Sequence, residues 1–277
     1  MRHAKLSVFY AWCCTWMKAL LLAGFVLGLV AGCSSVDKDP TAGMSPNRLY
    51  AEAKDELNSG GYDKAVILLE KLEGRAAGTP LAQQAQLDKA YARYKSNEPA
   101  EALAALERFM KLHPASPALD YALYLKGIIN FNDDLGLFSF LTRQDLAERD
   151  QKASKESFEA FKELTSRFPD SRYTPDARLR MTYIINSLAQ YEVHVARYYY
   201  NRGAYLAAVN RAQVALTEYR AVPALEEALF LIFKSYDALG MADLRDDAKR
   251  VLEKSYPQSE YLTKGAKTAA EPWWKFW

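Results

Sequence analysis

Apolar residues in this chain recur at the spacing of a helix face and do not alternate. Leu103, Leu106, Phe109 and Met110 make one stripe, and Phe158, Phe161, Leu164 and Phe168 a second. Leu225, Leu229, Ile232, Phe233 and Tyr236 make a third. The alternating Val-, Ile- and Thr-rich runs that predict strands are absent. Turn and breaker residues punctuate the stripes at Gly74 to Pro80, His113 to Pro117, Phe168 to Tyr173, Val222-Pro223 and Leu239-Gly240. The pattern predicts an all-α chain of short amphipathic helices.

A second periodicity runs through these helices. Gly60-x-Tyr62-x-x-Ala65 returns as Gly203-x-Tyr205-x-x-Ala208, and Asn97-x-Pro99-x-x-Ala102 keeps the spacing with Pro in a first helical turn. A turn residue, an aromatic and then a small residue, in a period of about 34 residues, mark tetratricopeptide repeats, each a hairpin of two helices. The small residue lets the two helices cross closely. A proline that cannot continue the helix should follow twelve residues later. Ala102 with Pro114 and Ser157 with Pro169 obey this, whereas Pro257 points back to Arg245, a poor match. The expected fold is a solenoid of about five hairpins within residues 46–265, whose terminal repeats can depart from the pattern because one face meets water. Asn132 to Asp150 interrupts the third repeat. Its cluster Leu137-Phe138-Ser139-Phe140-Leu141 either packs back on the solenoid or meets a partner.

The N-terminus follows a different rule. Ala19 to Ala31 is an unbroken apolar run of about 13 residues, too short to cross a bilayer core of roughly 30 Å as a helix. It follows Lys18 and ends in Val30-Ala31-Gly32-Cys33. A positive residue, an apolar run and small residues before a cysteine make a secretory signal of the lipoprotein type, resembling the bacterial lipobox. Residues 1–32 are therefore expected to be removed and Cys33 to carry diacylglycerol and an N-acyl chain. Translation starts at Met17, or else the signal has an unusually long basic region. Ser34, where an Asp would mark retention at the inner membrane, favours the outer membrane. Residues 33–45 read as a tether with little to bury.

Composition narrows the function. The net charge of +2 offers no field that would gather nucleic acid. Of the three cysteines, Cys13 and Cys14 lie in the segment to be removed, which leaves Cys33 without a partner for a disulfide. His113 and His194 stand apart in sequence, and no clustered metal ligands, phosphate loop or nucleophile motif is visible. The chain is not read as an enzyme, and no cofactor is expected beyond the lipid.

Three stretches carry a closer likeness: Asp120 to Gly127 (DYALYLKG), Phe168 to Tyr173 (FPDSRY) and Leu188 to Arg211 (LAQYEVHVARYYYNRGAYLAAVNR). With the lipobox, the interrupted third repeat and the long helical stretch from Thr174 to Tyr219, they resemble the BamD family, also called ComL or YfiO. These are lipoproteins of the machinery that assembles β-barrels in the outer membrane. The resemblance covers nearly all of the expected mature chain. It implies a scaffold anchored in the outer membrane, facing the periplasm. It also implies three kinds of protein partner: the periplasmic domains of the barrel-forming subunit, other assembly lipoproteins, and unfolded barrel precursors. The alternative is another repeat lipoprotein of the envelope, a pilotin or a cell-wall-linked adaptor.

By the resemblance, Arg211 matches an arginine that pairs with an acidic residue of the barrel-forming subunit, and Arg202 belongs to the same surface. A planar guanidinium suits a bidentate carboxylate pair that lysine would not reproduce. Tyr62, Tyr91, Tyr94, Tyr121 and Tyr124 either pack the hairpins or line a groove for an extended, aromatic-rich precursor segment. Tyr198, Tyr199 and Tyr200 cannot all face inward on one helix. The linker Arg75 to Pro80 lacks the aromatic that many relatives carry. The tail over residues 266–277 ends in Trp273-Trp274-Lys275-Phe276-Trp277. It folds back on the last repeat, docks on a partner or touches the membrane interface.

Overall fold

The computed structural model describes residues 39–131 and 151–264, and every regular element among them is a helix. In order these are α1 (Pro46–Ser59), α2 (Tyr62–Arg75), α3 (Pro80–Lys95), α4 (Pro99–Leu112), α5 (Leu119–Asn130) and α6 (Gln151–Arg167). There follow α7 (Thr174–Asn201), α8 (Tyr205–Glu218), α9 (Ala224–Ala238), α10 (Ala242–Ser255) and the short α11 (Glu260–Lys264). Helices α3 to α10 pair in sequence as four of the expected hairpins, and a tight turn at Gly60-Gly61 joins α1 to α2 as the first. Four expectations fall outside the described residues: the signal segment, the lipidated Cys33, the insertion over 132–150 and the aromatic tail over 266–277. Among the described residues, those from Tyr50 onward form one compact unit, and Asp39 to Leu49 belong to another. In the latter, Asp39 opens a turn by accepting hydrogen bonds from the backbone N–H and the hydroxyl of Thr41 at 3.0 and 2.7 Å.

Local chemistry explains the hairpins. The turn residue of the repeat signature adopts a left-handed backbone: φ is +83° at Gly60 and +64° at Asn97. Glycine does this without steric cost, and asparagine is among the side chains that tolerate it. Helix α3 starts on a Thr79 cap whose hydroxyl accepts from the Ala82 N–H at 3.3 Å, with Pro80 in the first turn. The small residues Ala65, Ala102, Ser157 and Ala208 are all fully buried. In the third hairpin, the Ser157 hydroxyl donates to the Gly127 carbonyl at 2.8 Å. A Cβ at Gly127 would stand 2.3 Å from the ring of Phe161, so only glycine fits that crossing.

Packing passes from hairpin to hairpin, as a solenoid requires. Leu87, Leu106, Phe109, Leu119 and Leu125 form one core across α3 to α5. Leu123, Phe161, Leu164, Ile184 and Leu188 form the next across α5 to α7. Val193, Ala212, Leu231 and Ile232 continue it across α7 to α9. Leu229, Phe230 and Leu252 close it with Tyr256, Tyr261 and Leu262. Helix α7, at 28 residues, contributes to two of these cores and ties the third hairpin to the last two. The last hairpin departs where the proline spacing fails. Arg245 is half-buried and paired with Asp246 at 2.8 Å, and α10 meets the core through Ala248 and Leu252 instead.

Candidate functional site

The first helices of successive hairpins meet along one face, and a polar and aromatic seam runs across them. The Tyr50 hydroxyl on α1 donates to Asp88 of α3 at 3.0 Å, and Gln84 donates to the other oxygen of the same carboxylate at 3.0 Å. Lys54 stands 3.6 Å away, so the buried Asp88 has its charge balanced. Further along, Ser171 donates to Asp120 at 2.7 Å, and Tyr124 of α5 donates to Asp176 of α7 at 2.8 Å. Arg180 holds that same Asp176 oxygen at 2.7 Å.

The rings attached to these hydroxyls form a platform. Tyr124 stacks on Tyr173 with centroids 4.7 Å apart, Tyr121 leans on Tyr173 at 5.6 Å, and the Arg172 guanidinium lies 4.7 Å over the Tyr173 ring. A cleft of about 740 Å³ opens beside it, lined among others by Asp88, Asp120, Tyr121, Asp170, Arg172 and Tyr173.

Electrostatics keeps these phenols protonated. Burial, and then the charge of Asp88, push Tyr50 up to about 12. The same two causes raise Tyr121, and burial with the Asp176 hydrogen bond raises Tyr124. Burial alone would raise Asp176, but hydrogen bonds from Arg180 and Tyr124 outweigh it and hold the carboxyl below its ordinary value. The hydroxyls of Tyr50 and Tyr124 are thus donors committed to carboxylates inside the wall. What the wall offers a ligand is ring surface, with carboxylates at its edge.

The five tyrosines singled out from sequence separate. Tyr121 and Tyr124 share Tyr173 as a ring partner, and Tyr91 lies close enough to act on the Tyr121 phenol. Tyr91 and Tyr94 are half-buried against the α3 to α5 core. Tyr62 opens a second helix of a hairpin and lines a separate cleft of about 400 Å³ with Glu56, Asp63, Lys64 and Ser96. Tyr50, Asp88, Tyr173 and Asp176 were not singled out from sequence. Their signal is weak: Asp88 lies four residues after Gln84 and three before Tyr91, a polar patch on an otherwise core-facing helix.

The second candidate surface lies on α7 and α8. Arg211 donates through Nη1 to Oε2 of Glu192 at 3.0 Å, and its side chain remains 43% exposed while that of Glu192 is 7% exposed. A parallel pair joins Arg197 to the buried Glu227 through two hydrogen bonds, the longer 2.8 Å, and the Tyr261 hydroxyl adds a third at 3.1 Å. Hydrogen bonding to Glu227 raises Arg197 above the usual guanidinium value. Arg202 sits exposed in the turn after α7, 5.3 Å over the Tyr198 ring, and Tyr198 is the exposed member of the tyrosine triplet. Arg211 thus has an internal carboxylate partner and still presents guanidinium surface to solvent.

Among the described residues no group of three or more His, Cys, Asp or Glu is placed to hold a metal ion. No helix of the described residues is long and apolar enough to cross a membrane.

The comparisons with known proteins agree with one another. The model of the YfiO family, described as an outer membrane lipoprotein, matches residues 42–252. "Outer membrane protein assembly factor BamD" of Neisseria meningitidis serogroup A is 46% identical over 266 residues, covering 94% of this chain and all of the relative. The protein of that name from Vibrio cholerae is 35% identical, covering 86% of this chain and 98% of the relative. The one from Xylella fastidiosa Temecula1 is 33% identical, covering 92% and 86%.

Proposed function

The chain belongs to the YfiO family of outer membrane lipoproteins, and from that membership we propose that it holds unfolded precursors along its first three hairpins, at the seam that ends on Tyr173, while its last hairpins dock on the assembly complex. It is an outer membrane protein assembly factor, and that role makes it a member of a β-barrel assembly complex. The pilotin or cell-wall adaptor reading is not favoured. It associates with the outer membrane. An acylated Cys33 would supply the anchor: each buried CH₂ contributes roughly 0.8 kcal/mol, and one chain alone holds only marginally. On this reading the solenoid faces the periplasm and acts by binding, without catalysis.

The observation that carries the reading is the ring platform of Tyr121, Tyr124 and Tyr173 beside the cleft. Stiff rings take up an extended peptide at low entropic cost, and rings stack well on aromatic side chains. Asp88, Asp120 and Asp176 already receive hydrogen bonds from within the chain, so binding an apolar segment over the rings strands none of these three charges. Exposed backbone in an unfolded barrel strand would meet the polar edge of the cleft. At the other end, Arg211 and Arg202 would face the barrel-forming subunit, with Arg211 offering its free edge to a carboxylate of that partner, and other lipoproteins of the complex would share the remaining surface.

Photo-crosslinking tests the groove. A photoreactive residue at Tyr121 or Tyr173 should label peptides taken from the aromatic C-terminal strands of barrel proteins, and the same probe at Tyr62 should not. Equal labelling at all three positions, or labelling at Tyr62 alone, would remove the groove from the mechanism.

A further inference from the structure

The described residues end in a helix, α11, that follows the last hairpin. Three junctions share one motif, which the junction from α8 into α9 lacks. Pro114-x-Ser116 leads into α5, Pro169-x-Ser171-x-Tyr173 into α7, and Pro257-x-Ser259-x-Tyr261 into α11. At the first two, the serine hydroxyl donates back to the preceding first helix, Ser116 to Gln83 at 3.0 Å and Ser171 to Asp120 at 2.7 Å. The buried Ser259 hydroxyl has no hydrogen-bond partner among the described residues. Helices of 12 and 28 residues follow the first two junctions, and α11 is described over Glu260–Lys264. It lays Tyr261 and Leu262 against Leu229, Phe230 and Leu252, where the first helix of a further hairpin would begin.

The outward face of α10 also differs from those of the first three hairpins. Counted from the small residue of the signature, the positions held by Leu244 and Val251 are Lys64 and Lys71 in α2, Glu101 and Arg108 in α4, and Glu156 and Glu163 in α6, whereas α8 places Ala207 and Val214 there. Charged side chains there meet water. Leu244 and Val251 are each 46% exposed, and Met241 on the same stripe is 44% exposed. Three apolar side chains, with Leu239 beside them, stand exposed where the first three hairpins place charge.

We infer that this stripe is the seat of the chain's own C-terminal segment, with the aromatic run Trp273 to Trp277 covering Met241, Leu244 and Val251. Reach permits it. The nine residues from Lys264 to Trp273 span up to about 30 Å when extended, and α10, at 14 residues, is only about 21 Å long. Chemistry favours it, because three indoles and a phenyl ring need a dry surface and α10 offers one at the same end of the molecule. This segment follows α11 directly in the chain.

Tryptophan fluorescence of the full chain tests the inference without truncation. All five tryptophans are Trp12, Trp16, Trp273, Trp274 and Trp277. With Trp12→Phe and Trp16→Phe, every remaining indole is in the tail, whether or not the N-terminal segment is retained. The inference predicts blue-shifted emission and acrylamide quenching several-fold weaker than for free tryptophan amide, independent of protein concentration and of added vesicles. Leu244→Glu with Val251→Glu should move the emission to that of exposed indole. Ile67→Glu, at an exposed site on α2, should leave it alone, and circular dichroism of both should match the parent. Solvent-like emission in the parent overturns the inference. So does a blue shift that appears only at high concentration, which assigns the stripe to a second copy, or only with vesicles, which assigns the tail to the membrane.

Discussion

Replacing Arg211 by Ala removes the donor that Glu192 receives at 3.0 Å and leaves a carboxylate only 7% exposed in the seam between α7 and α8. Breaking one side of a fully buried ion pair costs about 3–5 kcal/mol. Arg211 is 43% exposed, so solvent screens part of the interaction and the loss should be nearer ~1–2 kcal/mol. Arg211→Glu should cost more, since it puts a second carboxylate beside the first. Glu192→Gln keeps a hydrogen-bond acceptor and no longer needs the charge, so it should cost less than Arg211→Ala. In the double variant the unpaired charge is gone, and a coupling of about 1 kcal/mol should separate it from the sum of the singles. Urea unfolding followed by circular dichroism, with unchanged slope, measures all four. If Arg211→Ala unfolds within about 0.3 kcal/mol of the parent, the pair carries no structural weight. Arg211 would then be free for an outside partner alone. A binding defect in an Arg211 variant therefore bears on the partner surface only after comparison with Glu192→Gln, which removes the internal charge pairing without deleting the guanidinium.

Further outcomes follow from the same geometry. Gly127→Ala should destabilise the third hairpin by about 1–3 kcal/mol in thermal unfolding, because its Cβ would stand 2.3 Å from the fully buried Phe161 ring. An unchanged midpoint would mean that α5 and α6 can part at no cost. Tyr50 is pushed from the ordinary 10.0 up to about 12, so the folded chain holds that proton more tightly than the unfolded chain. Its contribution is fully present below pH 10.0 and is lost as the pH rises toward about 12. Tyr50→Phe should flatten this part of the alkaline unfolding profile and lower stability at neutral pH by about 1 kcal/mol. A slope identical to the parent would contradict the Asp88 contact. Tyr124→Phe removes the hydroxyl that reaches Asp176 at 2.8 Å but keeps the stacked ring. Peptide labelling at Tyr121 should survive it, while Tyr124→Ala should reduce it.

Much of the fold is legible in the residues. The turn glycine or asparagine, the small residue and the later proline mark each second helix because each answers a fixed steric need: a left-handed backbone, a close crossing and an end. Gly60, Asn97, Ala65, Ala102, Ser157 and Ala208 meet those needs in the structure. The last hairpin is less legible since Arg245 takes the small position and the contact shifts to Ala248 and Leu252. The seam of first helices was hardly visible. Asp88 and Tyr50 are 38 residues apart, and Tyr124 and Asp176 are 52 apart. Their partnership depends on how hairpins stack, which no local pattern encodes. The buried Glu192 and Glu227 read as surface charge for the same reason. Grouping Tyr62 with Tyr121 and Tyr124 by residue type failed to see that the first helices share the cleft and a second helix does not.

The central claim, that this chain is a scaffold on which β-barrel proteins are assembled, is tested most directly by depleting it and quantifying folded barrel proteins in the outer membrane. Folded barrels should fall and unfolded precursors accumulate. The parent chain should restore them, and a stable chain carrying Tyr121→Ala and Tyr173→Ala should not. Undiminished levels of folded barrels after complete depletion would contradict the account.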